Sequence, residues 1–467
     1  MEQYKLPSHI NPDKVFIVNR SELERRLEPK FYTSIYLENE TKLANSVFPL
    51  VSIKDVTSIV SDGTHFTPNY VDGGVKFISV KDVRQSSIDL NNSKFITEEE
   101  ADFLDKRCKP QKGDILLTKV GTIGLAAVVD VEERFQIFVS LALLRPKSNV
   151  MSDYLEIFLN SNIAYLQYDR IVKGAGVPDL HLEDIRRIKI SLPSLSKQQQ
   201  IVDLYKEAYN LKQQKEAKAK ALLDSIDSYL LGELGIALPE KDNSLQKRVF
   251  TAQFSEVTGG RFDAPSAFSD FSLDSTKYDA VPFLQYVSMN PQWGTVDSST
   301  LVSFIPMDVL NEEFGAITYK EERLAEESKG YTNFAENDIL WAKITPCMQN
   351  GKSTIAEGLS NGLGFGSTEY YVFRVDNTKI NRGYVFSILR LKALREAAML
   401  HFGGAAGHQR VSSSFFKELS IPFPPLEKQN EIAKHIQSIR EQAKQLQNDA
   451  KAILEQAKQE VELMILG

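Results

Sequence analysis

From Lys197 to about Leu234, apolar side chains fall at Ile201, Leu204, Ala208, Leu211, Ala219, Leu222, Ile226 and Tyr229, three or four residues apart with an interruption at Lys215. The same alternation runs through Ile432, Ile436, Ile439, Ala443, Leu446, Ala450, Ile453, Ala457, Val461 and Met464. Such spacing lays one apolar stripe along a helix and predicts two coiled-coil seams. At 1.5 Å per residue each helix would be about 55–60 Å long, and two of similar length can lie side by side. Alanines along both seams draw the axes together and leave little room for a ligand, so a two-helix spacer is expected. Gly232 and Gly235 are the stop signals of the first helix.

Each helix is introduced by the same phrase. Residues 190–202 read ISLPSLSKQQQIV and residues 421–433 read IPFPPLEKQNEIA. Pro193, and Pro422, Pro424 and Pro425, fix φ near −65° ahead of each helix. Three further echoes keep the same order. Arg26–Pro29 matches Arg261–Pro265, Gly113–Lys119 matches Asn337–Lys343, and Lys173–Gly176 matches Gly403–Gly407. Together they imply an internal duplication, and a duplicated chain tends to form a pseudo-twofold object reading two sites at a fixed separation. The globular segments, about residues 15–190 and 250–420, mix short β-like runs (Val75–Val80, Ile115–Thr118, Glu369–Val375) with helical stretches (Asp153–Leu159, Tyr384–Arg390). An α+β fold repeated twice is expected, and the polar stretch from Ile236 to Arg248 reads as the connector. Gly362–Gly366 has its glycines before a strand, not between strand and helix, and reads as a flexible loop.

The chain has 467 residues, 42% of them hydrophobic, enough for two to four domains with real cores. Without a signal-peptide core or an apolar run of about 18–20 residues, it is expected to be soluble and cytoplasmic. Its two cysteines, Cys108 and Cys347, lack metal-ligand spacing, fit a reducing compartment and read as packing residues. The net charge of −7 argues mildly against a self-sufficient nucleic-acid binder, although a basic cleft can coexist with an acidic remainder. There is no phosphate-binding GxxxxGK[ST] loop and no HExxH pair, and Asn290-Pro291-Gln292-Trp293 lacks the second proline of a base-gripping methyltransferase loop. No cofactor and no metal are expected.

The duplicated Pro-x-Leu-x-Lys-Gln-x-x-Ile phrases at Pro193–Ile201 and Pro424–Ile432, the long helices, and Asp62-Gly63-Thr64-His65-Phe66-Thr67-Pro68 followed by Phe77–Val83 resemble the specificity (S) subunit of type I restriction-modification systems. Nearly the whole chain shares the resemblance, although Asp-Gly-Thr-His has no clear counterpart in the second half. It implies two mixed α/β target-recognition domains (residues 1–192 and 251–421), separated by two long antiparallel coiled-coil helices (193–236 and 422–467) with a connector at 237–250. It also implies a non-catalytic DNA-recognition subunit that reads a bipartite double-stranded target, docks two modification (methyltransferase) subunits through its helices and joins restriction subunits. Candidate DNA contacts are the hydroxyls, amides and cations on glycine-punctuated loops. In the first half these are Thr64, His65, Thr67, Tyr70, Lys81, Lys119, Thr122 and Lys173. In the second they are Lys343, Thr345, Gln349, Asn350, Lys352, His408, Gln409 and Arg410. Two rivals are a module fused to methyltransferase and nuclease, whose motifs are missing here, and a coiled-coil adaptor with no nucleic-acid role.

Overall fold

A computed structural model of the chain describes residues 11, 15–18, 20–23, 27–174, 176–238, 271–403 and 409–467. The chain forms two compact units, Met1–Gln213 with Ala450–Gly467, and Gln214–Asp449. Each unit therefore takes part of each long helix.

In the first unit an antiparallel sheet is built from β1 (Thr57–Asp62), β4 (Ile115–Thr118), β5 (Ala126–Val128) and β7 (Leu141–Pro146), in the order β1-β7-β4-β5. A second sheet orders β3 (Lys94–Ile96), β2 (Val75–Ile78) and β6 (Phe135–Ile137), with β2 and β6 parallel. The run Ile115-Leu116-Leu117 is apolar without alternation because β4 is covered on both faces. Ile115 and Leu117 pack with Tyr154 and Phe158 of α1 (Ser152–Leu159), whereas Leu116 packs with Ile78, Phe135 and Ile137.

The second unit repeats this order. Its main sheet comprises β8 (Val287–Met289), β12 (Ile339–Ala342), β13 (Ser353–Ile355) and β15 (Tyr370–Val375), ordered β8-β15-β12-β13. Beside it stand β9 (Leu301–Ile305), β10 (Glu321–Leu324), β11 (Thr332–Ala335) and β14 (Leu363–Gly366), ordered β10-β9-β14-β11 with β9 and β14 parallel. Ile339 and Trp341 face Tyr384 of α3 (Arg382–Arg390), while Leu340 packs with Ile305 and Phe334.

Here the expectation of a flexible loop at Gly362–Gly366 is corrected: β14 is an inner strand. A Cβ on Gly364 would lie 2.3 Å from the Phe334 ring, and one on Gly366 2.0 Å from the Ile305 carbonyl oxygen. These glycines serve close packing, and a glycine count alone cannot separate that use from flexibility.

The two predicted long helices are α2 (Leu195–Leu234) and α4 (Leu426–Leu466), and Gly232 lies inside α2. In the first unit Ile201, Val202 and Tyr205 share a core with Val461 and Ile465, and in the second Ile226, Leu230 and Leu234 share one with Ile432, Ile436 and Ile439. Within the second unit Lys215 pairs with Asp449, Tyr229 packs on His435 and Glu233 pairs with Lys428, so positions later in α2 meet positions earlier in α4. Leu211, expected in the seam, is 41% exposed, and Tyr205, Leu230 and Leu234 do the packing that the spacing assigned to others. Gly235, at φ +64°, ends α2, whose last carbonyls accept from Ser275 Oγ and Lys277 Nζ. The Leu466 carbonyl at the end of α4 likewise accepts from Val47 N and Ser46 Oγ.

The repeated lead-in phrase has a structural cause. Gln198 is fully buried, its Oε1 accepting from Met151 N (2.8 Å) and its Nε2 donating to the Pro193 carbonyl (2.9 Å). Gln429, equally buried, accepts from Asn381 N (2.8 Å) and donates to the Pro424 carbonyl (2.8 Å). Tyr154 donates to Ser191 O and Tyr384 to Pro422 O, so a glutamine and a tyrosine clamp each helix start to its globular part. The Arg26–Pro29 and Arg261–Pro265 echo and most of the 237–250 connector lie largely outside the described residues, as do residues 404–407 of the second glycine cluster.

Candidate nucleic-acid interface

Three loops meet at one end of the first unit's sheet. The Asp62–Tyr70 loop leaves β1, Lys119–Gly124 leaves β4, and Lys173–Leu180 precedes the helix Leu182–Arg187. Gly63 makes the first turn possible, since a Cβ there would lie 1.8 Å from the Ile137 carbonyl oxygen. Thr64 is buried and strand-like, donating its N–H to Ile137 O and accepting from Val139 N. The other loops are tied by Gly121 N to Pro178 O, Leu180 N to Lys119 O (2.8 Å) and a reciprocal pair between Lys173 and Asp179.

At the junction lies a charge network. Asp62, almost fully buried, receives Arg107, with Lys119 Nζ 3.5 Å and His65 Nε2 3.3 Å away. Burial opposes ionisation of Asp62, but Arg107, Lys119 and His65 together hold it below the usual carboxylate range. Lys119 is itself buried, and its ammonium also lies 3.8 Å from Asp179. His65, Thr67, Tyr70, Lys81, Thr122 and Lys173 are exposed. Lys94 stands 3.9 Å over the Tyr70 ring, and burial raises the Tyr70 phenol. Lys173 Nζ reaches Asp184 at 3.4 Å, whereas Lys81 connects only indirectly, through Ser140, which accepts from both Val80 N and Lys119 N.

The second unit builds the same junction with different residues. Lys343 N donates to Glu369 O as Lys119 N does to Ser140 O, and Val411 N donates to Lys343 O (2.9 Å) as Leu180 N does to Lys119 O. Arg410 therefore stands where the first unit has Asp179. Its guanidinium forks onto both oxygens of Glu369, and Thr345 N donates to Gln409 O (3.0 Å). The Lys343 ammonium lies 5.4 Å over Tyr371, and burial pushes it down while Glu369 pulls the other way. Lys343, Thr345, Gln409 and Arg410 thus come together. Gln349 and Asn350 are exposed farther along the loop, Lys352 Nζ is turned onto Met307 O (3.1 Å), and His408 lies outside the described residues.

Asp62, Arg107, Asp179 and Glu369 were not singled out by residue type. Asp62 stands inside the quoted Asp-Gly-Thr-His phrase, but Arg107 is 45 residues away and no local pattern joins them. Among the described residues no cluster of histidine, cysteine or carboxylate suits a metal, and no helix is long and apolar enough to cross a membrane.

A two-unit chain with matching sheet orders, matching helix clamps and matching loop junctions of different charge is the class of protein that uses one α+β plan twice on one polypeptide. The chain belongs to the family of the type I restriction modification DNA specificity domain, whose model matches residues 46–221 and again 298–456. It is 30% identical over 233 residues to the type I restriction enzyme EcoAI specificity subunit of Escherichia coli, a match covering 48% of this chain and 40% of that protein. The chain thus spans about two fifths of the length of the first curated relatives it matches. A longer match, 22% identical over 430 residues and covering 89% of this chain and 91% of its counterpart, is to the putative MjaX specificity subunit of Methanocaldococcus jannaschii. In fold it is similar to a chain from a solved structure concerned with complex assembly and conformational transition of the type I R-M system, with TM-score 0.51, 12% identity, and 90% and 96% of the two chains covered.

Proposed function

We propose that this chain is the non-catalytic DNA-recognition subunit of a type I restriction-modification complex. Each unit reads one half of a bipartite double-stranded target through its loop junction, and α2 and α4 hold the two readers apart in pseudo-twofold fashion while docking two modification subunits. Restriction subunits complete the assembly. The observation that carries this reading is the matched pair of junctions, one built on Lys119 with Asp179 and the other on Lys343 with Arg410. A shared frame with exchanged charges is what two readers of different bases require. Within each junction the exposed residues His65, Thr67, Tyr70, Thr122, Lys173, Gln349, Asn350 and Arg410 are the proposed contacts, with Thr64, Lys119 and Lys343 orienting the loops. Each good bidentate base contact is worth roughly 1–3 kcal/mol of discrimination, so neither unit alone is selective, and linkage makes the second contact intramolecular.

The test exchanges one globular segment, residues up to about 190 or from 250 to 420, for that of a relative. Methylated adenines are then mapped in DNA exposed to the complex with modification subunits. Half of the target should change while the other half persists. A target altered throughout, or not at all, would overturn the reading, as would methyl transfer by this chain alone.

A further inference from the structure

In the second unit a cleft of about 660 Å³ opens between Phe314–Ile317, the start of α3, and the face of α4 that carries Ala433, Gln437, Arg440 and Lys444. Five cations line it, Lys320, Arg382, Lys434, Arg440 and Lys444, against two carboxylates, Glu357 and Glu441. That excess stands out in a chain of net charge −7. Lys320 is engaged by the carbonyls of Glu357 and Gly358. The side chains of Arg382, Lys434 and Lys444 make no hydrogen bond or ion pair with another described residue.

The charge behind the cleft is only partly compensated. The guanidiniums of Arg440 and Arg390 both lie over the Phe386 ring, 5.1 and 5.6 Å from its centre. Arg390 is held by neutral groups, the carbonyls of Gly351, Glu312 and Glu313 and the Ser353 hydroxyl. Asp227 is shared by Arg390, Arg395 and Arg440 and already accepts the N–H of Lys392, while Glu396 acts on Arg395 alone. Burial, reinforced by the like charge of Arg440, pushes Arg390 down to about 9, and burial pushes Arg440 down to about 10, both still cationic at neutral pH. Half-buried cations that outnumber the carboxylates near them are unfavourable, and an anion entering the cleft adds the negative charge that is short. Guanidiniums prefer oxyanions they can meet with two parallel N–H donors.

We propose that this cleft binds a multiply charged oxyanion of the phosphate type, gripped by Arg440 and Arg382 with Lys434 and Lys444 closing on it. At the corresponding place in the first unit Glu156 stands two residues beyond Tyr154, where Phe386 follows Tyr384, so the aromatic ring beneath the guanidiniums is not repeated there. The inference does not depend on the DNA-reading role of the loops.

Calorimetric titration of the full chain with inorganic pyrophosphate, at constant ionic strength, tests it. Saturable one-to-one binding is expected, weakened at least tenfold by Arg440→Gln and by Arg382→Gln, with Lys109→Gln in the first unit as a charge control that leaves it unchanged. Because Arg440 also packs on Phe386, its variant is checked for an unaltered melting profile, and the Arg382 variant stands as the independent measure. Parallel titration with ADP separates the sources of the phosphoryl group: equal affinity points to inorganic anions, tighter binding to a nucleotide. No saturable heat with pyrophosphate, or equal weakening by all three substitutions, overturns the proposal.

Discussion

Replacing Glu156 with glutamine should stabilise the first unit at neutral and alkaline pH. The Glu156 side chain is 5% exposed within the packing of α1, its Oε1 accepting from Ser86 Oγ and Asn160 Nδ2. The cation nearest in charge, Lys206 of α2, is committed to Asp153 at 2.8 Å, and the other titrating neighbour on α2 is the phenol of Tyr205. Burial first, then the charge of Asp153, raises the Glu156 carboxyl to about 7 against the pull of Ser86, Asn160 and Lys206. In the unfolded chain it releases its proton near 4.5. Between those values the folded state keeps a proton that the unfolded state has lost. The stabilisation is therefore fully present below pH 4.5 and disappears as pH rises towards 7. At roughly 1.4 kcal/mol per pH unit, the decline amounts to about 3 kcal/mol. Glutamine keeps the acceptor and the shape without the charge. The variant should match the parent near pH 4.5 and exceed it by about 2–3 kcal/mol at pH 8, or roughly 4–12 °C in melting temperature for a unit of this size. Both tryptophans, Trp293 and Trp341, lie in the second unit, so the readout should be amide hydrogen exchange across α1 and the start of α2. A variant no more stable than the parent at pH 8, or an advantage that does not grow with pH, refutes the argument.

Gln198→Ala and Gln429→Ala should each cost about 2–4 kcal/mol, because each strands a buried N–H and carbonyl at a helix start; urea titration giving under about 1 kcal/mol would count against the clamp. Gly63→Ala should abolish DNA recognition by the first unit in the reconstituted complex, since its Cβ would collide with Ile137 O, while the second half-site persists in methylation maps. Inserting about seven residues in register into α2 lengthens it by about 10 Å, the rise of roughly three base pairs, and should widen the unread gap between unchanged half-sites where α4 accommodates the change; an active complex with the original gap would mean that the helices do not measure the target. Ile439→Asp places a charge in the enclosed seam and should weaken assembly, read as loss of complex in size-exclusion chromatography.

Periodicity and repetition by themselves determined the two long helices, the duplicated halves and the family resemblance. These features are local: a heptad stripe or a Pro-x-Leu-x-Lys-Gln phrase carries its constraint within a few turns of chain, and Gln198 and Gln429 show that constraint directly. The loops bearing Lys119 and Lys343 were legible for the same reason, as cations just past a buried strand in both halves. Only the tertiary structure decided what those cations do. Lys119 is enclosed between Asp62 and Asp179, Arg410 occupies the position of Asp179 in the other unit, and Arg107 reaches back to Asp62. Likewise, the Gly362–Gly366 run became an inner strand because Phe334 and Ile305 approach it from distant segments, and Leu211 turned outward despite its seam spacing. Charge partners, close approaches and the burial that raises the Glu156 carboxyl depend on contacts between residues tens of positions apart, and no pattern confined to neighbours along the chain encodes them.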